Sequence, residues 1–437
     1  MTSAPYAVEL DQDTAKELVR QGGTLLLLDV PEGTHLGIDQ QSFVVGPKFK
    51  GVKMLPPGAH LVSYNAASKQ GEFAPTTSFF VVLRPQAVVV RRWNTESELL
   101  DPMPDEDEVE RYAAGVRRLD FDASLAPYDL RSYPRWKQLS QHITQALVAK
   151  LAPAGHGNIS ITAEAAPSAQ QPPTAAEERL EAQLQRPCAQ RTAPAGTESD
   201  AGPTAMETGA EERSQGGAGP SGRTAAASQG VGRCFYTHMP RLVKASGLTS
   251  EALTAANLDK SQLLDDLISK EYSGHELAIL GETQFAFLAF LMGQSLEGFA
   301  QWKDIVHLML GCEAAPLRTR SALFERFLGV LCAQLAHALP TGQAGSGRDQ
   351  ASPFGLPVME ELMADSFLKR LLARFFEMLH EAGGQVPAPL DQKARALQKL
   401  LDRQLGWRFG VAELDNEIEE EDEDAPVVVD LSDTVAL

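Results

Sequence analysis

The stretch GIDQQSFVVGPKFKGVKMLPPGAHLV, from Gly37 to Val62, combines turn residues, apolar residues and a group of lysines. Glycine and proline recur along it, and both residue types favour tight turns. Many of the residues between them are β-branched or aromatic, which favours strands. The stretch therefore predicts β structure. Its segment GPKFKGVKMLPPG predicts a hairpin surrounded by tight turns, with Phe43 and Val45 or their neighbours filling the core.

A phosphate-binding loop is the alternative interpretation of the same stretch. GPKFKG lacks the GxxxxGK[ST] order of such loops, and no helix-forming run follows it. We therefore assign Lys48, Lys50 and Lys53 to the surface of a β domain. They form either a solvated face or a candidate face for a partner.

The strand pattern extends on both sides of this stretch, from Thr24 to Trp93. The runs TLLLLDV, HLVSY, SFFVVL and AVVVRRW are rich in β-branched and aromatic residues, and turn residues separate them. Together they predict a β-rich domain of about half a dozen strands.

Helical patterns follow the strands. The acidic residues 105–108 suit the first turn of a helix, because negative charge complements the positive end of the helix dipole. The run PRWKQLSQHITQALVAKL predicts one further helix that begins near Pro134. Four apolar residues share one face of it at helical spacing: Trp136, Leu139, Ile143 and Leu147.

Composition divides the chain into four parts. Residues 1–152 form the β-rich domain with its trailing helices, and residues 153–233 form a linker rich in Ala, Gly, Ser and Pro. The linker is expected to be disordered, because it has too few large apolar side chains to offset the entropy of ordering. Residues 234–410 carry successive amphipathic patterns and predict an all-α domain. Residues 411–437 form an acidic tail. The predicted fold class is α+β.

Charge, cysteine content and hydropathy narrow the classes of function. The 437 residues carry a net charge of −19, which argues against a protein that coats nucleic acid, since phosphate binding needs clustered Lys and Arg. Four scattered cysteines suit neither a zinc site nor a disulfide framework. The sequence has no signal-peptide pattern and no apolar run long enough for a bilayer. We expect a soluble intracellular protein that does not bind membranes.

Candidate catalytic residues are few. His275 stands beside Glu276, but no HExxH motif or partnered histidine accompanies it, so we expect a capping or structural role. No hydrolase or kinase signature is present in the sequence. We therefore expect no catalytic residues, no metal, no cofactor and no small-molecule substrate.

The tail carries the most informative chemistry. Every residue from Glu419 to Asp424 is acidic, and three strong β-formers follow: Val427, Val428 and Val429. A flexible acidic arm with a β-prone tip suits strand addition to a sheet edge. The edge can belong to a partner or to this protein itself, and a disordered solvating tail is the third alternative.

Four strings of the sequence resemble the a1-alpha2-repression splicing-factor family. They are GIDQQSFVVGPKFKGVKMLPPGAHLVSY, YPRWKQLSQHI, LGETQFAFLAFLMGQSLEGFAQWKDIVHLML and the late APVVVDL, in the order of the family. The resemblance covers about residues 14–150 and 249–431. It implies an N-terminal β-rich domain and a C-terminal helical domain of the VHS-like type.

The resemblance also implies a function. Members of the family are non-catalytic assembly factors of the U5 small nuclear ribonucleoprotein, found in cytoplasm and nucleus. They bind the RNase H-like and JAB/MPN-like domains of the large spliceosomal scaffold protein and block premature binding of the helicase and of RNA. The carried-over docking residues are Val427, Val428 and Val429, and Ser432 is the candidate phosphosite for release. A trafficking adaptor, whose VHS-like helical domain binds peptide cargo, is the alternative.

Overall fold

The structure, a computed structural model, describes residues 20–66, 73–154, 156–160, 232–240, 258–339 and 367–409. Strands occupy the N-terminal part and helices the C-terminal part, so the predicted α+β fold is confirmed. The described strands are β1 (Gly23–Leu28), β2 (His35–Ile38), β3 (Gln41–Val44), β4 (Gly51–Leu55), β5 (Gly58–Asn65), β6 (Thr77–Leu83), β7 (Val88–Asn94), β8 (Leu99–Pro102), β9 (Ala126–Pro127) and β10 (Ile159–Ser160).

The strands form two five-stranded sheets. One is antiparallel, in the order β10-β6-β5-β2-β3. The other is mixed, in the order β8-β7-β1-β4-β9, with β1 parallel to β7 and β4 parallel to β9. Apolar side chains from both sheets form one buried cluster between them, which includes Leu25, Leu36, Val52, Val62 and Phe79. The alternation of side chains along each strand directs these residues inward.

The predicted hairpin around GPKFKGVKMLPPG is wrong. β3 lies at the edge of the antiparallel sheet, whereas β4 pairs with β1 and β9 in the mixed sheet. Residues 45–50 therefore cross from one sheet to the other, and Pro56 and Pro57 lead back to β5. Glycine is required at position 51, where φ is 129° and a Cβ atom would lie 2.0 Å from the Leu25 carbonyl oxygen. The turn residues were identified correctly, but they connect two sheets.

The described helices are α1 (Glu106–Arg117), α2 (Tyr133–Ser140), α3 (Gln145–Leu151), α4 (Ser261–Glu271), α5 (Leu277–Gly293), α6 (Leu296–Leu310), α7 (Ser321–Ala338), α8 (Phe367–Ala382) and α9 (Ala388–Leu405). The predicted acidic start of α1 is confirmed, because the Asp105 side chain caps it by accepting from the backbone N–H groups of Asp107 and Glu108. None of the described helices is long and apolar enough to cross a membrane.

The single helix predicted from Pro134 is wrong, because the chain breaks between α2 and α3. Thr144 is extended and caps α3 through its hydroxyl. The amide of Gln284 on α5 bridges the break. It accepts from the His142 N–H at 2.8 Å and donates to the Gln138 carbonyl at 2.9 Å. The helix can end there because a distant side chain satisfies backbone groups that the break exposes.

Helix α5 joins the sheets to the helical region. It is buried almost throughout, which is typical of a helix that is apolar on all sides. Phe285 stacks on Phe80 of β6 with ring centroids 4.2 Å apart. Gly281 and Gly293 allow close approach, since a Cβ atom would lie 2.4 Å from the His142 carbonyl oxygen and 2.5 Å from the Ser78 hydroxyl oxygen, respectively. The outer face of the antiparallel sheet and the helices therefore share one continuous core.

Candidate interaction surfaces

A buried ion pair fixes the stretch from Gly37 to Val62. His60 Nδ1 lies 2.7 Å from Asp39 Oδ2, and both side chains are almost fully buried. Tyr128 donates its hydroxyl to the same carboxylate oxygen at 2.7 Å, and the Leu61 N–H donates to Oδ1 at 3.0 Å. His60 Nε2 lies 2.7 Å from the Pro56 carbonyl oxygen. This cluster ties the β2–β3 turn to the crossing at Pro56.

The partners of His60 fix its protonation state. A carbonyl oxygen can only accept, so Nε2 donates to Pro56, and Nδ1 donates to the carboxylate of Asp39. Burial by itself lowers the pKa of His60, but the charge and hydrogen bond of Asp39 outweigh it, so the pKa is raised above its ordinary value of 6.5. Burial and the same carboxylate raise the pKa of Tyr128. The cluster resembles a catalytic His–Asp pair, but both ring nitrogens are donors, so His60 has no lone pair with which to accept a proton.

A second buried carboxylate holds the segment that follows residue 231. Glu282 on α5 is fully buried and accepts four hydrogen bonds of 2.8–2.9 Å. The donors are the Thr237 N–H and hydroxyl, the Tyr272 hydroxyl and the Gln301 amide. Gln301 also donates to the Thr237 carbonyl at 2.8 Å. Thr237 is thereby anchored to α5 and α6.

The two ends of segment 161–231 lie side by side. The Ser160 N–H donates to the Gly232 carbonyl at 3.1 Å, and the Phe235 N–H donates to the Leu151 carbonyl at 2.8 Å. Arg233 forms an ion pair with Glu297 at the start of α6. Residues 160 and 232, which flank the segment, are therefore direct neighbours in space.

Only part of the predicted lysine face is available to a partner. Lys53 Nζ binds the Asp122 carboxylate at 2.5 Å and the Asp122 carbonyl at 3.2 Å, so its charge is already paired. Lys48 and Lys50 are exposed. Lys50 Nζ lies 5.5 Å from the centroid of the Phe121 ring. The face is thus reduced to Lys48 and Lys50 on the crossing between the sheets.

A shallow cavity of about 270 Å³ adjoins Phe121 beside α1. Its lining residues are Glu108, Arg111, Tyr112, Gly115, Arg118, Asp120 and Phe121. Much of the lining charge is paired, since Arg118 binds Asp120 and Glu108 binds Arg92. Within the part of the chain that the structure describes, no group of three or more His, Cys, Asp or Glu side chains is placed to hold a metal ion.

After the lysine face, the second candidate interaction surface is the β3 edge of the antiparallel sheet. Strand β3 ends the strand order, so none of the described strands covers it. Val44 is 55% exposed and Phe73 is 52% exposed, and the Phe73 ring packs on His35 at 4.3 Å. His35 lies directly opposite Val44 in the β2–β3 register. The edge therefore carries an apolar surface next to backbone groups that no strand of the described residues pairs.

Several predicted site residues lie outside the described residues. They are the docking residues Val427, Val428 and Val429 and the phosphosite Ser432. His275 is exposed, and its neighbour Glu276 binds Arg320 at 2.8 Å.

The sequence did not predict the Asp39–His60–Tyr128 cluster or the Glu282 cluster. Asp39 and His60 both stand in the opening stretch among apolar residues. A charged residue between strand-forming apolar residues was the one signal available for them.

Two family models match the chain. The AAR2 N-terminal domain matches residues 21–153, and the AAR2 C-terminal repeat region matches residues 236–410. Curated relatives named Protein AAR2 homolog extend the match. The Homo sapiens protein is 29% identical over 434 residues, which is 99% of each chain. The Mus musculus protein is 29% identical over 98% of this chain and 99% of its own, and the Caenorhabditis elegans protein is 28% identical over 90% and 96%.

Proposed function

Because the chain belongs to the AAR2 family, we propose that it is a non-catalytic assembly factor of the U5 small nuclear ribonucleoprotein. It binds the large spliceosomal scaffold protein at the RNase H-like and JAB/MPN-like domains and blocks premature binding of the helicase and of RNA. Its partner is the scaffold protein, and it does not bind nucleic acid, membranes or small molecules directly. It acts in the cytoplasm and the nucleus. The observation that carries the proposal is the family match over both folded parts of the chain.

The internal bonding of the two buried carboxylates supports a binding role. Asp39 and Glu282 accept three and four hydrogen bonds, respectively, from neighbouring protein groups. Their donors hold turns and segments in place, so both clusters stabilise the body. A rigid body reduces the entropy that is lost on association, which favours a protein whose task is to hold a partner.

The shared core weighs against the trafficking adaptor. That alternative needs the helical domain to act by itself. Phe285 of α5 stacks on Phe80 of β6, and Gln284 bonds to the backbone of the α2–α3 break. A partner therefore meets sheets and helices as one surface. Binding of peptide cargo, together with no binding to the scaffold domains, would favour the adaptor.

In this proposal the acidic tail bridges the two scaffold domains by strand addition. Val427, Val428 and Val429 supply the strand, and phosphorylation of Ser432, which follows it closely, releases the partner. Each backbone hydrogen bond contributes about 0.5–1.5 kcal/mol, so a three-residue strand contributes on the order of a hundredfold in affinity. Lys48 and Lys50 provide a candidate contact on the folded body, since Lys53 is bound to Asp122.

A binding titration tests the proposal. The full chain is titrated against the RNase H-like and JAB/MPN-like domains, together and singly, with and without residues 415–437. We expect tight binding to both domains together, and weaker binding after truncation. Binding that is insensitive to truncation would place the interface on the folded body. No binding to either domain, together or alone, would overturn the proposal.

A proline scan in the tail tests strand addition directly. Val428→Pro removes one backbone donor and should weaken binding by about two- to tenfold. Val428→Thr is the matched control, because threonine keeps both the N–H and the β-branched shape. Equal affinity of the two variants would contradict docking as a strand.

A further inference from the structure

The backbone of β3 defines what its free edge can bind. The Val45 N–H donates to the Thr34 carbonyl at 2.9 Å, and the register places Leu36 opposite Phe43 and His35 opposite Val44. Bonded and non-bonded positions alternate in an antiparallel pair. Val45 and Phe43 therefore bond towards β2, whereas the N–H and carbonyl groups of Ser42 and Val44 point away from it. The edge offers two donors and two acceptors to an incoming strand.

The side chains at this edge do not prevent strand addition. Natural edge strands are commonly protected by charge or proline, but β3 reads QSFV. Ser42 and Val44 are exposed, and the Phe73 ring on His35 continues the apolar surface. The exposed residues Lys48 and Lys50 follow the C-terminal end of β3.

We propose that this edge is the resting site of the protein's own tail, with Pro426–Asp430 added antiparallel to β3. The three valines are strong β-formers, and charge selects the direction. In an antiparallel arrangement the acidic residues 419–424, which precede the valines, lie beyond Val44 on the side of Lys48 and Lys50. A parallel arrangement would direct them away from these lysines.

Proline limits the register. With Val427 opposite Val44 and Val429 opposite Ser42, both valines supply N–H groups to the two open positions. Pro426 then lies opposite Val45, where a donor would point away from β3, so its missing N–H costs nothing. Val428 lies beside Phe43, on the face that packs against the sandwich core. A shift that places Pro426 opposite Val44 would require a donor that proline lacks.

A long segment tethers the tail to the folded part of the same molecule. The described chain ends at Phe409, and residues 410–426 separate it from the valines. These residues span up to about 55 Å when extended. A compact protein of this length has a radius of gyration of about 22 Å. A tether of this reach gives the tail a high effective concentration at a site on the same molecule.

The effect of this docking on partner binding rests on the proposed function. A strand that bridges two scaffold domains needs both of its edges, and docking on β3 occupies one of them. The resting tail then competes with the partner. If the tail occupies the edge nine-tenths of the time, the apparent affinity for the scaffold domains falls about tenfold.

Amide hydrogen exchange on the protein alone tests the docking. In the full chain we expect the Ser42 and Val44 amides to exchange at least about tenfold more slowly than in a chain without residues 415–437. The Leu36 amide in β2 serves as the control for folding, and its exchange should be equal in the two chains. Equal exchange of Ser42 and Val44 in both chains would overturn the proposal. Protection that rises with protein concentration would also overturn it, because a second copy would then be the occupant.

Two proline substitutions test the register, and a third substitution tests the edge. Val429→Pro removes the donor that faces Ser42 and should abolish the protection. Val428→Pro removes an N–H that points away from β3 and should retain most of it. Equal loss in the two proline variants would contradict the proposed register. Val44→Glu changes an exposed residue and places a negative charge beside the acidic arm, so it should release the tail without unfolding the protein.

The titration with scaffold domains keeps the two proposals separate. If both hold, Val44→Glu binds the domains about tenfold more tightly than the unmodified chain. If the proposed function fails, no variant binds the domains, but the exchange difference remains. If the docking fails, Val44→Glu binds the domains no more tightly than the unmodified chain, and the exchange rates are equal.

Discussion

Replacement of Asp39 by alanine should destabilise the protein strongly, and most at low pH. The carboxylate neutralises buried His60 and accepts from His60, Tyr128 and Leu61. Its loss leaves three donors without that acceptor and a buried imidazolium without its counter-charge. Breaking a buried ion pair in this way costs about 3–5 kcal/mol. That is a large share of the roughly 5–15 kcal/mol by which native domains are stable.

The pH dependence has a definite sign. The pKa of His60 is raised in the folded protein, so its contribution is fully present below the unfolded value near 6.5 and is lost as pH rises through the folded pKa. In Asp39→Ala, burial acts without the carboxylate and lowers the pKa of His60, so protonation opposes folding. The difference in unfolding free energy between the two proteins should therefore shrink as pH rises.

Urea unfolding at about pH 6 and about pH 8.5 measures both effects. Asp266→Ala is the matched control, because the exposed Asp266–Lys270 pair on α4 contributes only about 0.3–0.5 kcal/mol. A loss below about 1 kcal/mol for Asp39→Ala would refute the ion-pair assignment. A loss of equal size at both pH values would refute the protonation state of His60.

Two further predictions concern the body of the protein. Gly281→Ala places a methyl group 2.4 Å from the His142 carbonyl oxygen and should cost about 1–3 kcal/mol in thermal or urea unfolding. Gly329→Ala on α7, with nothing within 4 Å, should instead be neutral or stabilising by up to about 1 kcal/mol, and equal losses would contradict the close packing of α5. Replacing residues 161–231 by about six Gly and Ser residues should leave the fold intact and raise the free energy of unfolding by at most about 2 kcal/mol, because Ser160 and Gly232 are already hydrogen-bonded. A large loss of stability in that variant would show that the removed segment packs on the body.

Local signals identified most elements of the fold. Runs of β-branched and aromatic residues gave the strands, since such side chains suit a pleated surface. Asp105 before an acidic turn marked the start of α1, because the cap and the charges act within a few residues. The family resemblance was carried by the strings themselves, and the family models match in the same two regions.

The two errors of the sequence interpretation have a common cause. The turn at Gly46 and Pro47 is a local property, but whether the next strand pairs with β3 depends on β1 and β9, which lie elsewhere in the chain. The spacing of Trp136, Leu139, Ile143 and Leu147 fits one helix, and all four are buried as such a face requires. The break between them is stabilised by the amide of Gln284, more than a hundred residues away.

The α+β class, the family, the acidic arm and its three valines follow from the order of the amino acids alone, because composition and short-range preference act along the chain. Four features are visible only in the folded protein: the sheet in which each strand lies, the ion pair of His60, the pairing of Lys53 and the free edge of β3. These features depend on groups that meet only after folding, and burial then sets the strength of each charge and each unpaired backbone group.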